Sequence, residues 1–160
     1  MCLYKQSYWF SGSGQSVDFD QVIDVTLRSI KSESKIFIGT DSFVSKKKVT
    51  FATAICLHGG GISRYFFFKN NHNSKNFKNL ISRITEEAKI SIDLAELLIS
   101  KHGINKGSIE LHLDVSPKHL NNGTSRFSDM LKGYVSGYNL ECKLKPDAWA
   151  SQTVADRHSK

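Results

Sequence analysis

Between Lys35 and Lys69 the chain carries three apolar runs rich in β-branched and aromatic residues: Lys35–Asp41, Val49–His58 and Ile62–Lys69. Runs of this length and composition read as strands. Gly59-Gly60-Gly61 separates the last two and supplies a turn, because glycine tolerates positive φ. Three strands so close in sequence, joined by short turns, form an antiparallel meander. After the meander the hydrophobic period changes. A polar loop from Lys69 to Asn79 leads into a long helix, Leu80 to Lys101, which Gly103 ends. A strand from Ile109 to Val115, a helix from Ser125 to Ser136 and a strand from Leu140 to Lys145 follow. The last helix begins at Pro146, a residue suited to a first helical position. Strands separated by helices lie parallel and cross over right-handedly.

The spacing therefore predicts an α/β fold. Its core is a five-stranded mixed sheet, three strands in an antiparallel meander and two parallel, flanked by helices. One helix precedes the meander: Phe19, Val22, Ile23, Thr26, Leu27 and Ile30 recur at helical spacing. It should run from Val17 to Lys31, with Ser16 as its cap. Ser11-Gly12-Ser13-Gly14 ahead of it has the composition of a linker. The 160 residues fit one domain, with residues 1–34 as an extension bearing the extra helix and residues 35–160 as the core.

Composition narrows the function. No apolar run approaches the roughly 18 residues of a membrane span, so no membrane partner is expected. Met1-Cys2-Leu3-Tyr4-Lys5 lacks the apolar core of a signal peptide. Cys2, Cys56 and Cys142 fall in no CxxC pattern, which argues against a disulfide scaffold and a Cys-ligated zinc. A reduced, cytoplasmic protein is the expectation. The formal net charge of +7 favours acidic partners, nucleic acid first.

Three aspartates occupy equivalent places. Asp41 ends the first strand, Asp114 stands near the end of the fourth, and Asp147 follows the fifth in the first turn of the last helix. If those strands are parallel, all three gather at the carboxyl edge of the sheet, where open α/β sheets place ligands. On the long helix, Leu80, Ile81, Ile84, Ala88, Ser91, Ala95 and Leu98 form one stripe. Glu87 lies at its edge, and Glu86 on the solvent side. Four carboxylates together repel each other and resist burial, and divalent cations relieve both. Carboxylate-only ligation selects Mg²⁺ or Mn²⁺. Two such ions about 3.5–4 Å apart stabilise both oxygens of a phosphodiester displacement.

Taken singly, each acid has a plainer reading: a turn former, a helix-start residue or a solvated edge acid. His112 shares a strand face with Asp114 and reads either as a structural histidine or as an occasional metal ligand. Asp156 sits about half a helical turn out of phase with Asp147, so one regular helix would not aim both at the same site. Trp149 and Tyr134 read as packing residues.

The order of elements resembles the ribonuclease H-like superfold. Ile38-Gly39-Thr40-Asp41-Ser42, Leu111-His112-Leu113-Asp114-Val115-Ser116-Pro117, and Lys145-Pro146-Asp147-Ala148-Trp149-Ala150-Ser151 running into Val154-Ala155-Asp156-Arg157 are similar to stretches of its YkuK-type family of bacteria and phages. With the Glu87 to Ala95 helix, they cover the chain from about Lys35 onward. Carried over by position, the resemblance implies that Asp41, Glu87, Asp114 and Asp147 bind metal and act in catalysis. Asp147-Ala148-Trp149-Ala150 is also similar to a stretch in the last helix of Holliday-junction resolvases of this superfold. The chain lacks a basic protrusion of the kind some ribonucleases H use to grip hybrid duplex.

The expected activity is two-metal hydrolysis of nucleic-acid phosphodiesters. Lys46, Lys47, Lys48, Lys69, Lys75, Lys78, Lys118 and Arg126, all expected in loops, are candidate phosphate contacts. For any one of them a solvated surface position is the plainer reading. The rival function is a nucleic-acid-binding or assembly module that keeps the fold and does little chemistry. A small-molecule phosphotransferase is disfavoured, because no phosphate-cradling glycine loop precedes a helix.

Overall fold

The structure is a computed structural model and describes residues 3–117 and 123–160. A short helix, α1 (Leu3–Gln6), leads into a small hairpin, β1 (Trp9–Ser11) and β2 (Ser16–Val17). Helix α2 (Phe19–Lys31) follows, then the meander β3 (Lys35–Val44), β4 (Lys48–Gly59) and β5 (Ile62–Asn73). Helix α3 (Leu80–His102), strand β6 (Ile109–His112), helix α4 (Ser128–Ser136) and strand β7 (Glu141–Lys143) complete the sheet. The last segment is a π-helical stretch, Ala150–Ala155, running into α5 (Asp156–Ser159).

The sheet has seven strands in the order β2-β1-β5-β4-β3-β6-β7. The meander is antiparallel, and β3–β6 and β6–β7 are parallel. The inner five strands are thus the expected mixed sheet. The two added strands flank the Ser11–Gly14 segment read as a linker, which forms the turn between them. Trp9 is fully buried and pairs with Phe68, so burial of that indole fixes a stretch whose Ser-Gly composition alone suggests freedom.

Helix α2 starts two residues later than the spacing suggested, at Phe19, because Asp18 caps it and not Ser16. The Asp18 carboxylate accepts from the Gln21 amide at 2.8 Å, and the Gln21 side chain accepts from the Asp18 amide. Gly103 closes α3 at φ 65°. β5 runs to Asn73, four residues past its expected end, so Lys69 belongs to a strand and not to a loop.

Two layers cover the sheet. Helices α2, α3 and α4 pack on one face over the larger core, which includes Ile36, Ile38, Phe51, Phe66, Phe68 and Leu98. The C-terminal helix covers the other face with a smaller cluster, Ala54, Cys56, Phe67, Ala150 and Ala155. Alternation along β3 turns Thr40 and Ser42 toward α3, and Phe37, Gly39 and Asp41 toward the C-terminal helix.

Candidate functional site

The site begins where β6 leaves the sheet. Its ladder with β3 ends at the pair Gly39–His112, while β3 continues to Val44 with β4 on its other side. Past that point groups from the two faces of the sheet can approach one another around β3. Asp41, Glu87 and Asp114 lie near enough there for Asp114 to act on the charge of the other two and Asp41 on that of Glu87.

Asp41 is held from the C-terminal helix side. The Ser159 hydroxyl donates to its Oδ2 at 2.8 Å. Gly39 makes this possible: a Cβ there would stand 2.3 Å from the Ser151 nitrogen and 2.5 Å from the Ala150 carbonyl carbon. Only glycine lets the helix backbone lie directly on β3. Burial pushes the Asp41 carboxyl up to about 7. The Ser159 hydrogen bond opposes this, while the neighbouring Asp114 carboxyl and the charge of Asp156 add to it.

Glu87 comes from the opposite face, on the inward side of α3. The small residues Ala88, Ser91 and Ala95 are buried and let this helix approach β3 closely. Below Glu87 a hydroxyl chain ties the layers, with Thr40 Oγ1 3.0 Å from Thr53 and 2.8 Å from Ser91. Glu87 accepts a 2.6 Å hydrogen bond from Ser42. Burial pushes its pKa up to about 8, and the charges of Asp41 and Asp114 add to the shift. Ser42 and Arg83 oppose it. Glu86 is half-buried instead of facing solvent, and lies close enough to Tyr134 of α4 to raise its phenol pKa.

Asp114 stands two residues past the end of β6. Lys145 Nζ lies 2.7 Å from its Oδ1. The geometry is that of an ion pair without a directed hydrogen bond, and this oxygen is buried with no hydrogen-bond partner.

The fourth acid differs from the sequence expectation. Asp147 is exposed in the turn before the last helix, its amide bonded back to the Leu144 carbonyl. It is not in the helix's first turn, because regular helical structure starts only at Trp149. The end of the helix that touches Asp41 is the far one, at Ser159. The carboxylate of this helix that acts on Asp41 is Asp156, which also pairs with Lys160 at 3.0 Å.

His112 anchors the helix and does not join the acids. Its Nδ1 accepts from the Ala150 amide at 2.9 Å, and its Nε2 lies 3.0 Å from Glu110 Oε1. An Nδ1 that accepts leaves the proton on Nε2, so the ring is the neutral tautomer donating to Glu110. Burial lowers its pKa accordingly. Glu110 in turn pairs with Lys35 at 3.1 Å.

The basic residues divide. Lys69 is exposed on β5, and the register Asp41–Ala52–Lys69 puts it on the Asp41 face two strands away. Lys46, Lys47, Lys75 and Lys78 are exposed at the same end of the sheet. There the Ser74 amide donates to the Lys47 carbonyl at 3.1 Å. Arg126 is exposed, its guanidinium 4.6 Å from the Phe127 ring centre. Lys118 lies outside the described residues.

The donor chemistry fits a hard divalent cation: carboxylate oxygens only, several buried, with one Asp114 oxygen lacking a hydrogen bond. The arrangement does not yet gather them. Among the described residues no three His, Cys, Asp or Glu side chains form a group able to hold a metal ion. Ser42, Ser159 and Lys145 occupy the acids instead.

A family model described as Ribonuclease H-like matches residues 18–160. Among curated proteins, the chain is similar to "Uncharacterized protein YkuK" of Bacillus subtilis (strain 168). The two are 27% identical over 143 residues, covering 81% of each chain. No helix among the described residues is long and apolar enough to cross a membrane.

Proposed function

The chain belongs to the ribonuclease H-like family and is of its YkuK type, and on that premise we propose that it is a divalent-metal-dependent nuclease acting on nucleic-acid phosphodiesters. The observation that carries this reading is the nearness of buried Asp41 and Glu87 to Asp114 where β6 leaves the sheet. Burial raises the Asp41 and Glu87 carboxyls, and the charge of Asp114 adds to both shifts, at a sheet edge bordered by lysines. Asp41, Glu87 and Asp114 would hold Mg²⁺ or Mn²⁺, with Asp156 in place of Asp147 as the fourth acid. Cations bound there supply Lewis-acid stabilisation of the phosphoryl oxygens and acidify the attacking water.

The side chains have separable duties. Asp41 faces the C-terminal helix and Glu87 faces α3, so together they hold the site from both sides of β3. Ser42 and Ser159 orient these two carboxylates by donating to one oxygen of each, leaving the second oxygens for other partners. Lys145 neutralises Asp114 while the site is empty of substrate and cation. Lys69, Lys75 and Lys78 attract the phosphate backbone without reading sequence. In the domain as a whole, residues 1–34 act as an extension whose β1 covers the edge of β5 and whose α2 packs on the sheet, and residues 35–160 carry the chemistry.

The test is cleavage of single-stranded, duplex, hybrid and branched nucleic acids in Mn²⁺, by the wild type and by Asp41→Asn. The substitution should lower cleavage by orders of magnitude while affinity for nucleic acid holds or rises, since one negative charge leaves a surface facing phosphates. Cleavage that persists unchanged in excess EDTA would end the metal mechanism.

A second reading is a nucleic-acid-binding module with little or no chemistry. What favours it is the pairing of the acids with Ser42, Ser159 and Lys145 and the lack of a ready three-ligand group among the described residues. Under that reading the wild type cleaves none of the four substrates in Mg²⁺ or Mn²⁺.

A further inference from the structure

We infer that the open strip of sheet beyond Asp41 is a stacking platform for an unpaired nucleobase, centred on Phe43, and that the nucleic acid enters as a single strand. This rests on the nuclease reading above and names its substrate class.

Phe43 follows Asp41 by two residues in β3, so alternation puts both side chains on the same face, about 6.6 Å apart along the strand. The C-terminal helix reaches this face at Asp41 through Ser159. Phe43 lies beyond that contact and is 43% exposed. The strand phenylalanines Phe10, Phe37, Phe51, Phe66, Phe67 and Phe68 are all buried or half-buried. Phe43 is nevertheless fixed, because its backbone pairs with Thr50 in an unbroken ladder that runs to Val44. A ring held in water on a rigid strand loses little further freedom when a base lies on it.

The surroundings match a nucleotide on both sides of the base. Across the sheet, Thr50 donates to Asn71 Oδ1 at 2.7 Å, which leaves the Asn71 amide hydrogens free to meet a base edge. Lys69, in register with Asp41 across Ala52, stands about 9.6 Å to the side, within reach of a phosphate that flanks the site. The Lys46–Lys48 turn and Lys75 add positive charge at the same end of the strands. Charge complementarity selects a polyanion, and the exposed ring selects one with a free π-face. A duplex keeps its base faces inside the stack, whereas a single strand offers them to aromatic side chains.

The experiment uses the full chain with EDTA present to suppress cleavage, and measures anisotropy of labelled oligo(dT), oligo(U) and a blunt duplex. The wild type should bind the single strands more tightly than the duplex. Phe43→Ala should weaken single-strand binding about tenfold and change duplex binding less than about twofold. Phe43→Tyr should restore it. Phe43→Leu, apolar but without a π-face, should not, and it keeps the test valid if the alanine variant folds poorly. Equal loss on single strand and duplex, no loss on either, or rescue by leucine overturns the inference. So does a fall in sedimentation coefficient in Phe43→Ala, which would make the ring a contact between copies of the chain. Single-strand binding that depends on Phe43, without any cleavage in Mn²⁺, keeps the platform and removes the nuclease. Cleavage that is indifferent to Phe43 does the reverse.

Discussion

Ser159 donates its hydroxyl to Oδ2 of Asp41 at 2.8 Å, so the end of the C-terminal helix is fastened to an acid inside β3, which runs three residues past the strand end expected at Asp41. This bond draws the Asp41 pKa down against burial and two neighbouring carboxyls. Ser159→Ala should therefore move the Asp41 titration upward from about 7 in the metal-free protein. A carboxyl-carbon NMR titration reads this directly, and an unmoved midpoint would show that the hydroxyl does not act on Asp41.

Asp156 and Asp147 make opposite predictions. Asp156→Asn should lower metal-dependent cleavage at least tenfold, to about the loss expected of a missing ligand or ligand neighbour. Asp147→Asn, exposed in the turn after Pro146, should stay within about twofold of wild type. Initial rates in Mn²⁺ on one common substrate decide it, and the reverse ranking would restore Asp147 to the site.

The placement of Asp147, exposed in a turn and not in the first turn of the last helix, marks the limit of what the sequence makes legible. Asp41 and Asp114 follow from strand polarity, and Glu87 from helical phase, because β3, β6 and α3 have the regular geometry that period counting assumes. The last helix does not. It starts at Trp149, three residues later than a first-turn Pro146 implies, and the next six residues, Ala150–Ala155, are π-helical. An i→i+5 repeat breaks the 100° arithmetic that set Asp156 out of phase. The β1–β2 hairpin escaped for a different reason. A three-residue strand held by Trp9 against Phe68 is specified by tertiary burial and leaves no periodic trace.

The pH dependence of stability has a definite sign. Burial pushes Glu87 up to about 8 and Asp41 up to about 7, from unfolded values near 4.5 and 3.8. The folded state thus binds these protons more tightly. That contribution is complete below the unfolded values and is lost as pH rises through 7 and 8. His112 acts the other way: its pKa is lowered from 6.5, so it costs stability only as pH falls below that value. Between about pH 8.5 and 6.5 the two carboxyls set the sign, with the raised Cys56 and Cys142 thiols adding to it near the upper end and the lowered His158 opposing it near the lower, and the Tm of metal-free protein should rise by several degrees on acidification. Asp41→Asn should reduce the slope. Thermal scans in EDTA that are flat over this window would contradict the shifts.

Gly39→Ala places a methyl against the backbone of Ala150 and Ser151, and neither can rotate away. The C-terminal helix must lift, at a cost of about 1–3 kcal/mol or more. Asp156 and Ser159 move with it, so activity should fall further than stability alone accounts for. Urea unfolding and cleavage rates measured on the same preparation separate the two, and wild-type activity in a destabilised variant would detach the helix from the site.

The two outermost strands of the sheet, β2 and β7, are two and three residues long, while the twelve-residue β4 and β5 lie inside. Long unpaired edges are templates for strand addition between molecules. The β1–β2 hairpin turns the middle of β5, with its Phe66-Phe67-Phe68 run, from such an edge into an interior strand. Its consequence is colloidal more than catalytic. A chain relieved of this hairpin would keep every acid in place and still be drawn into intermolecular sheet, so concentrated solutions would lose soluble protein well before they lost the fold.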